Sequence, residues 1–396
     1  MDFVTVMRTK SIPIMNPASR SFPGTAAAPF RWNWSLGVSR RFRLAVGMIH
    51  SIGLVVHAGK PEALAAAQTV RDWAAQHQIP TADIDVWSTD GNGRLNAAEE
   101  ALRAGQPDLI VTVGGDGTFL RGARVAAAAD VPVLGVDVGR VGFLTEVTVE
   151  QLTDALDHVH AGKYQIDGRL TLTMRASRPL EIPTDMKPLL RYGRGPALPS
   201  PKVRPGTPEP LGWGVPLDVL ALNDVVFEKI ARDRQASLAV YVTGRLFASY
   251  SADALIVSTS TGSTAYSFAA GGPIVSPQLD ALIFTPVAPH MVFNRSIVLS
   301  IADRIAVEVL EHSGQVGVSV DGALRGVLDP GDWICVYASR RRAKLIRRKD
   351  TDFLGRVRDR FQLADAPAAL ADGRAPEGYT PGEPPPSDMA HPGPQD

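Results

Sequence analysis

The sequence predicts an N-terminal α/β domain built on a parallel sheet, followed by a C-terminal β-rich, sandwich-like domain. Three observations carry this. Between residues 52 and 160, apolar β-branched runs of strand length alternate with helix-forming stretches, the order that parallel strands joined by crossovers require. After Gly162 the pattern changes to short alternating runs with few helical stretches. Residues 111–120 place a buried-strand sequence, a glycine turn and an alanine-rich helix in direct succession.

In order, residues 52–57 read as a buried strand, and His57-Ala58-Gly59-Lys60-Pro61 leads into a helix over 61–78 with proline at its first position. A second strand is expected at 84–87, and Asn96 can cap a helix running to Arg103. Strand 109–113 delivers the glycine turn, followed by helix 119–129, strand 131–136, a loop over 137–144 and helix 149–160. These elements make residues 51–162 a Rossmann-like domain, in which ligands bind beyond the carboxyl ends of the strands.

Strand-like runs at 170–174, 221–229, 237–242, 254–258, 304–310, 316–320 and 333–338 make 163–354 the β-rich domain. Residues 178–216, dense in proline and glycine, read as a long, poorly ordered loop inserted between strands, whose Pro-x-x-Pro-like spacings could instead bind a partner domain. The first 50 residues are a basic extension: up to Met48 the only acid is Asp2, against Arg8, Lys10, Arg20, Arg31, Arg40, Arg41 and Arg43. An organelle transit peptide is one reading; scattered Pro, Trp and Gly favour a disordered extension, or a start set too early with Met48 before the first strand. Residues 362–396, rich in Ala, Pro, Gly and acids, are expected to be disordered.

With 396 residues, zero formal net charge and no apolar stretch long enough for a bilayer, nothing points to nucleic acid or a membrane as partner, and a cytoplasmic location is expected. One cysteine, Cys335, excludes an intrachain disulfide and a thiolate cluster, and reads as a reduced core thiol. His57, His290 and His312 lack metal-ligand spacing and read as structural. Lys60 could meet phosphates or simply be exposed. The run Arg340-Arg341-Arg342, Lys344, Arg347-Arg348-Lys349 reads as a solvated strand end, attraction of ATP or polyphosphate being the alternative.

The chemistry concentrates in two stretches. Gly114, Gly115 and Gly117 permit positive φ and close ligand approach, and the amides at the following helix N-terminus form an anion site. Asp116 breaks that pattern. A carboxylate among such amides is costly unless it takes a proton, holds a metal or accepts a sugar hydroxyl, which points to a sugar-phosphate ligand. In the second stretch, residues 253–275, a strand runs into a turn crowded with hydroxyls, and Tyr266 offers an aromatic face for a base. An ST-rich loop satisfying its own backbone explains that stretch equally well. Ser263 as a catalytic nucleophile fails for want of a nucleophile elbow, and His290 does not rescue it.

Taken together the motifs resemble those of the NAD kinases: Gly114-Gly115-Asp116-Gly117-Thr118; Leu222-Asn223-Asp224-Val225-Val226; Asp253 through Tyr266 with Gly271-Gly272-Pro273-Ile274; Pro289-His290 with Asn294-Arg295; and Ser319-Val320-Asp321-Gly322. The opening residues 55–61 and the loop 139–144 fit as well, and coverage runs from about 52 to 354 without the insert. Diacylglycerol-type lipid kinases share the first motif; the long Ser/Thr motif is far more specific.

The resemblance implies transfer of the terminal phosphoryl group of ATP, or of polyphosphate, to the 2′-hydroxyl of the adenosine ribose of NAD, giving NADP. It also implies Mg²⁺ or another divalent cation, a site between the two domains, and a homo-oligomer, dimer or tetramer. By position, Asp116 would be general base or orienter of the hydroxyl, Gly117 would lie close to the ligand, and Gly114, Gly115 and Thr118 would form the phosphate-donor loop. Asn223 and Asp224 match the family's Asn-Glu pair for the adenosine and ribose parts, with an acid one methylene shorter. Asp253, Thr261, Thr264, Ala265 and Tyr266 would line the dinucleotide pocket, with Ala288 beside the nicotinamide. Ala254 replaces a usual glycine and Ala269 a common serine. Two other readings stand beside this one: a lipid kinase, which would need a membrane-docking surface, and a nucleotide-binding regulator without turnover, which the Ala254 and Asp224 departures would suit.

Overall fold

The computed structural model describes residues 49–86, 96–139, 142–184, 186, 198–204, 212–231, 234–347 and 352–363. The chain divides into two compact units, Met1–Lys349 and Asp350–Asp396. The expected basic extension, apart from its last two residues, and the expected disordered tail beyond Leu363 lie outside the described residues.

The first part of unit one alternates as expected: β1 (Ile52–Val56), α1 (Pro61–Gln76), β2 (Thr81–Asp83), α2 (Ala97–Arg103), β3 (Leu109–Gly114), α3 (Asp116–Ala129), β4 (Pro132–Asp137), β5 (Val147–Thr148) and α4 (Leu152–His160). Local chemistry explains the boundaries. Pro61 opens α1, where its missing N–H costs nothing. At α2, Asn96 Oδ1 accepts the Glu99 N–H and Glu99 Oε2 accepts the Asn96 N–H, both at 3.0 Å, a reciprocal capping box. The second strand lies earlier than the expected 84–87. Ile84 still donates its N–H to the Leu54 carbonyl of β1 at 2.7 Å, and the chain then leaves the sheet, with Ile84 and Val86 buried against α2 and α3. Trp87 lies outside the described residues.

Strands β6 (Gln165–Arg169), β7 (Leu172–Ala176), β8 (Val215–Pro216), β9 (Asp224–Lys229), β10 (Ala236–Val242), β11 (Arg245–Ala252) and β12 (Ala254–Thr259) follow. A 3-10 turn (Thr261–Thr264) and the short α5 (Tyr266–Ala269) lead to β13 (Ala281–Val287), β14 (Ile297–Ser300), β15 (Arg304–Val309), β16 (Val316–Val320), β17 (Ala323–Leu328), β18 (Trp333–Ala338) and β19 (Ala343–Arg347). Unit two contributes one described helix, α6 (Phe353–Arg360).

The first sheet has the order β2-β1-β3-β4-β19-β6, with β5 also paired to β4. It is parallel except for the antiparallel β19–β6 edge. Period-two alternation sends Val111 and Val113 of β3 to the face covered by α1 and α4, and Ile110 to the face covered by α2 and α3. The other two sheets, β11-β10-β15-β18-β7-β8 and β14-β13-β12-β9-β16-β17, are antiparallel and share one core. Met174, Leu238, Val307 and Val336 of one meet Val225, Phe227, Leu255 and Phe284 of the other, a face-to-face sandwich. The expected fold class is therefore observed. One difference matters for the site: β6 and β19 belong to the parallel sheet although both fall in the span read as β-rich. Of the 178–216 insert, β8 pairs with β7, and Val203 bridges Leu217. Among the described residues no helix is long and apolar enough to cross a membrane.

Candidate active site

β3 ends at Gly114, Gly115 is the N-cap of α3, and Asp116 is its first helical residue, so the helix starts three residues before the expected 119. None of Gly114, Gly115 and Gly117 has positive φ, which corrects the expectation of left-handed backbone in this turn. A Cβ at Gly115 or Gly117 would meet nothing within 4 Å, so packing does not require glycine there, whereas one at Gly114 would strike the Thr118 side chain. Thr118 is buried beneath the turn.

The Asp116 carboxylate is held by the loop between β4 and β5. Its Oδ2 accepts the Phe143 N–H at 3.0 Å; its Oδ1 accepts those of Leu144 at 3.0 Å and Thr145 at 3.4 Å. A carboxylate has about four acceptor positions, so roughly one remains for a substrate hydroxyl. The loop closes this tightly because Gly142 has no side chain; a Cβ there would fall on the Asp116 carboxyl atoms. Thr145 Oγ1 donates to Asp137 Oδ2 at 2.9 Å and accepts the Gly142 N–H at 2.9 Å, which fixes the loop from below.

One turn along the same face of α3, Leu120 lines a cleft of about 360 Å³. Asn223, Asp224, Ala265 and Tyr266 line the same cleft, together with Val226, Glu228, Ser319, Asp321 and Gly322. The structure thus gathers expected residues from two distant motifs. The Asn223 backbone meets the 3-10 turn so closely that a Cβ on Gly262 would strike the Asn223 carbonyl. Thr259 Oγ1 donates to the Leu222 carbonyl at 2.6 Å and accepts the Gly262 N–H at 3.0 Å, tying the two segments together.

Electrostatics in the cleft are acidic. Asp321, at the tip of the β16–β17 hairpin, accepts N–H groups from Leu222 at 2.9 Å, Asn223 at 2.7 Å and Asp224 at 3.2 Å. Burial raises the Asp321 carboxyl, while those amides and Arg325 act in the opposite direction. Asp224 is pushed up to about 7, first by burial and then by the charge of Asp321. The three amides favour the charged form of Asp321, and burial together with that neighbouring charge favours the protonated form of Asp224. Tyr266 is raised by burial, then by Glu228, Asp253 and Asp224, which sets Asp253 within the same field.

Other expected residues take supporting places. Asp253 pairs with Lys229 Nζ at 2.6 Å. Thr261 is buried; its Oγ1 accepts from Arg169 Nη1 at 3.3 Å and its carbonyl from Thr264 Oγ1 at 3.4 Å. Ala288 has φ 44 at the end of β13. The basic run is not simply a solvated strand end: Arg342 pairs with Asp280, Lys344 with Asp130, and Arg347 is buried. A strand edge and an interior strand carry the same basic composition, so charge alone could not show which it was. Sequence reasoning also passed over Asp321 as a site residue. The Asp-Gly pair between two apolar runs is a two-residue hairpin signal, with φ of 48 and 75 here, and could have located it.

A glycine turn with a pinned carboxylate, one helical turn from a cleft that carries acids among apolar walls, suits a phosphotransferase of the nucleotide-binding kind. Comparison with known proteins makes this specific. The ATP-NAD kinase N-terminal domain model matches residues 52–164 and the ATP-NAD kinase C-terminal domain model matches 222–348. NAD kinase 1 of Streptomyces avermitilis is 59% identical over 349 residues, covering 87% of this chain and 97% of that protein. NAD kinase 1 of Streptomyces coelicolor is 57% identical over 343 residues, covering 87% and 94%. In fold, the chain is similar to yeast NADH kinase complexed with NADH, at TM-score 0.61 and 20% identity over 81% of this chain and 90% of that one. It is also similar to an Archaeoglobus fulgidus NAD kinase in complex with ATP, at TM-score 0.53 and 22% identity over 78% and 98%. The chain belongs to the NAD kinase family.

Proposed function

We propose that this protein transfers the terminal phosphoryl group of ATP to the 2′-hydroxyl of the adenosine ribose of NAD. The observation that carries the reading is Asp116: a carboxylate oriented by three backbone amides at a helix N-terminus, one helical turn from a cleft lined by Asn223, Asp224, Ala265 and Tyr266. Phosphoryl transfer needs alignment and charge neutralisation more than covalent help. The open amides of the turn would bind donor phosphate oxygens. Asp116 would accept the hydroxyl proton and aim the oxygen at phosphorus, worth on the order of 10² to 10⁴-fold. A protonated Asp224 would donate a hydrogen bond to the nucleoside, and the Tyr266 ring would offer its face to a base.

Mg²⁺ is the cation that suits this site. Among the described residues no group of three or more His, Cys, Asp or Glu is arranged to hold a metal. Mg²⁺ usually takes few protein carboxylates alongside substrate phosphates and water; with the remaining Asp116 position given to the hydroxyl, the phosphates of ATP and water would supply the donor set. When bound it neutralises charge on the phosphates.

The assay is purified protein with Mg²⁺, ATP and NAD, with NADP read by a coupled dehydrogenase; polyphosphate in place of ATP identifies the donor. NADP formation is expected, with most turnover lost in Asp116→Asn. Near-native kcat in that variant at saturating NAD sinks Asp116 as base. Binding of NAD without NADP formation would identify a regulator, and lipid phosphorylation a lipid kinase.

A further inference from the structure

Residues 143–145 are gripped from two sides. Their amides hold Asp116, while their carbonyls accept from a single guanidinium. Arg347 Nη1 reaches the Leu144 carbonyl at 3.1 Å and that of Thr145 at 3.3 Å, and Nη2 reaches the Phe143 carbonyl at 3.4 Å. The same Nη1 meets Glu146 Oε2 at 2.8 Å, and the two side chains are only 5% and 3% exposed. Such a buried ion pair is weak evidence of stabilisation, since well-packed apolar residues often serve stability as well or better. What apolar residues could not do is present several donors in one rigid plane to three successive carbonyls.

The grip also extends toward the second motif. Arg347 Nε lies 3.8 Å from Asp167 Oδ2, which accepts from Arg169 Nε at 2.6 Å. Arg169 Nη1 in turn donates to Thr261 Oγ1 at 3.3 Å. The charges alternate along a chain, Glu146, Arg347, Asp167, Arg169, that ends on the hydroxyl-rich turn. Arg347 and the two residues leading to Thr261 lie on β19 and β6, the pair that closes the parallel sheet.

We propose that Arg347 is a positioning residue for phosphoryl transfer, setting the Asp116 carboxylate through the backbone of residues 143–145. This rests on the reading of Asp116 as the group that meets the ribose hydroxyl. Arg347 touches no substrate. It acts because two of the peptide planes it fixes from the carbonyl side, 143–144 and 144–145, carry the Leu144 and Thr145 N–H groups that aim the carboxylate.

The test uses the full chain. Arg347→Lys keeps a cation beside Glu146 but replaces the fork with a point charge. Because a misplacement of about 1 Å can cost on the order of 10²-fold, kcat should fall by about that factor. KM for NAD should stay within about twofold, the pattern of an interaction felt in the transition state. The double variant Asp116→Asn/Arg347→Lys should be no slower than Asp116→Asn alone, since an absent carboxylate has no position to lose. Hydrogen exchange should accelerate at the Phe143, Leu144 and Thr145 amides while β3 and β4 stay protected. If Arg347→Lys does not fold, Arg347→Gln with Glu146→Gln removes both buried charges and is read the same way. Native kcat in the folded variant, or losses that add in the double variant, overturns the proposal. Native kcat in Asp116→Asn instead overturns the reading of Asp116 beneath it, so the two failures are distinguishable.

Discussion

The Asp321 carboxylate accepts the backbone N–H of Asp224 at 3.2 Å, so a half-buried acid sits directly against the buried one. They divide the charge unequally. Three amides converge on Asp321, whereas Asp224 has the charge of Asp321 as a neighbour and is raised to about 7.

Asp224 should make stability depend on pH. In the unfolded chain its carboxyl ionises near about pH 3.9. In the fold it keeps its proton to about 7. Between those values the native state binds more protons than the unfolded state, so this group's contribution falls as pH rises and levels off above the folded value. Asp224→Asn does not titrate. Its stability advantage over the native chain should grow by on the order of 3 kcal/mol from about pH 5 to about pH 8. Urea unfolding at the two pH values measures this, and an advantage of equal size at both would show that Asp224 ionises normally.

Removing the brace should loosen the nucleoside side of the cleft. Asp321→Ala deprives three buried amides of their acceptor and places a Cβ-bearing apolar residue at φ 48. The expected cost is on the order of 3 kcal/mol, with KM for NAD rising more than kcat falls. Asp321→Asn tolerates the left-handed turn and keeps one oxygen, so it should fall between the two. Denaturation and NAD titration of all three proteins decide the matter; an alanine variant as stable as the native chain would contradict the bracing role.

Two glycines should fail in different ways. A Cβ at Gly117 enters open space in the first turn of α3, so Gly117→Ala should leave stability equal or higher by up to about 1 kcal/mol while KM for ATP rises. A Cβ at Gly142 falls on the Asp116 carboxyl, so Gly142→Ala should lower kcat at saturating substrates by about 10²-fold. An unchanged KM for ATP in the first variant would move the donor away from the turn.

Legibility followed the range of the interaction. The β3–turn–α3 unit, the Asn96 cap and the switch from helical to alternating periodicity are local, and each is present in the fold. One edge strand was harder to see. β11 carries Leu246 and Phe247 exposed, which breaks the alternation of a strand with one buried face, whereas the apolar runs of β13 and β14 were legible and passed over. β19 was hidden in a basic run because Arg342 and Lys344 find acids that are distant in sequence.

By itself the sequence determined the order of elements, the glycine turn with its acid, and the family, because these are written in contiguous residues and motif spacing. Only the tertiary structure decided that Asp116 is aimed by Phe143, Leu144 and Thr145, that burial and Asp321 raise the Asp224 carboxyl, and that Arg347 is interior. Each of these depends on groups far apart in the chain meeting in a low-dielectric interior. There burial and partner geometry, rather than residue type, set orientation and charge.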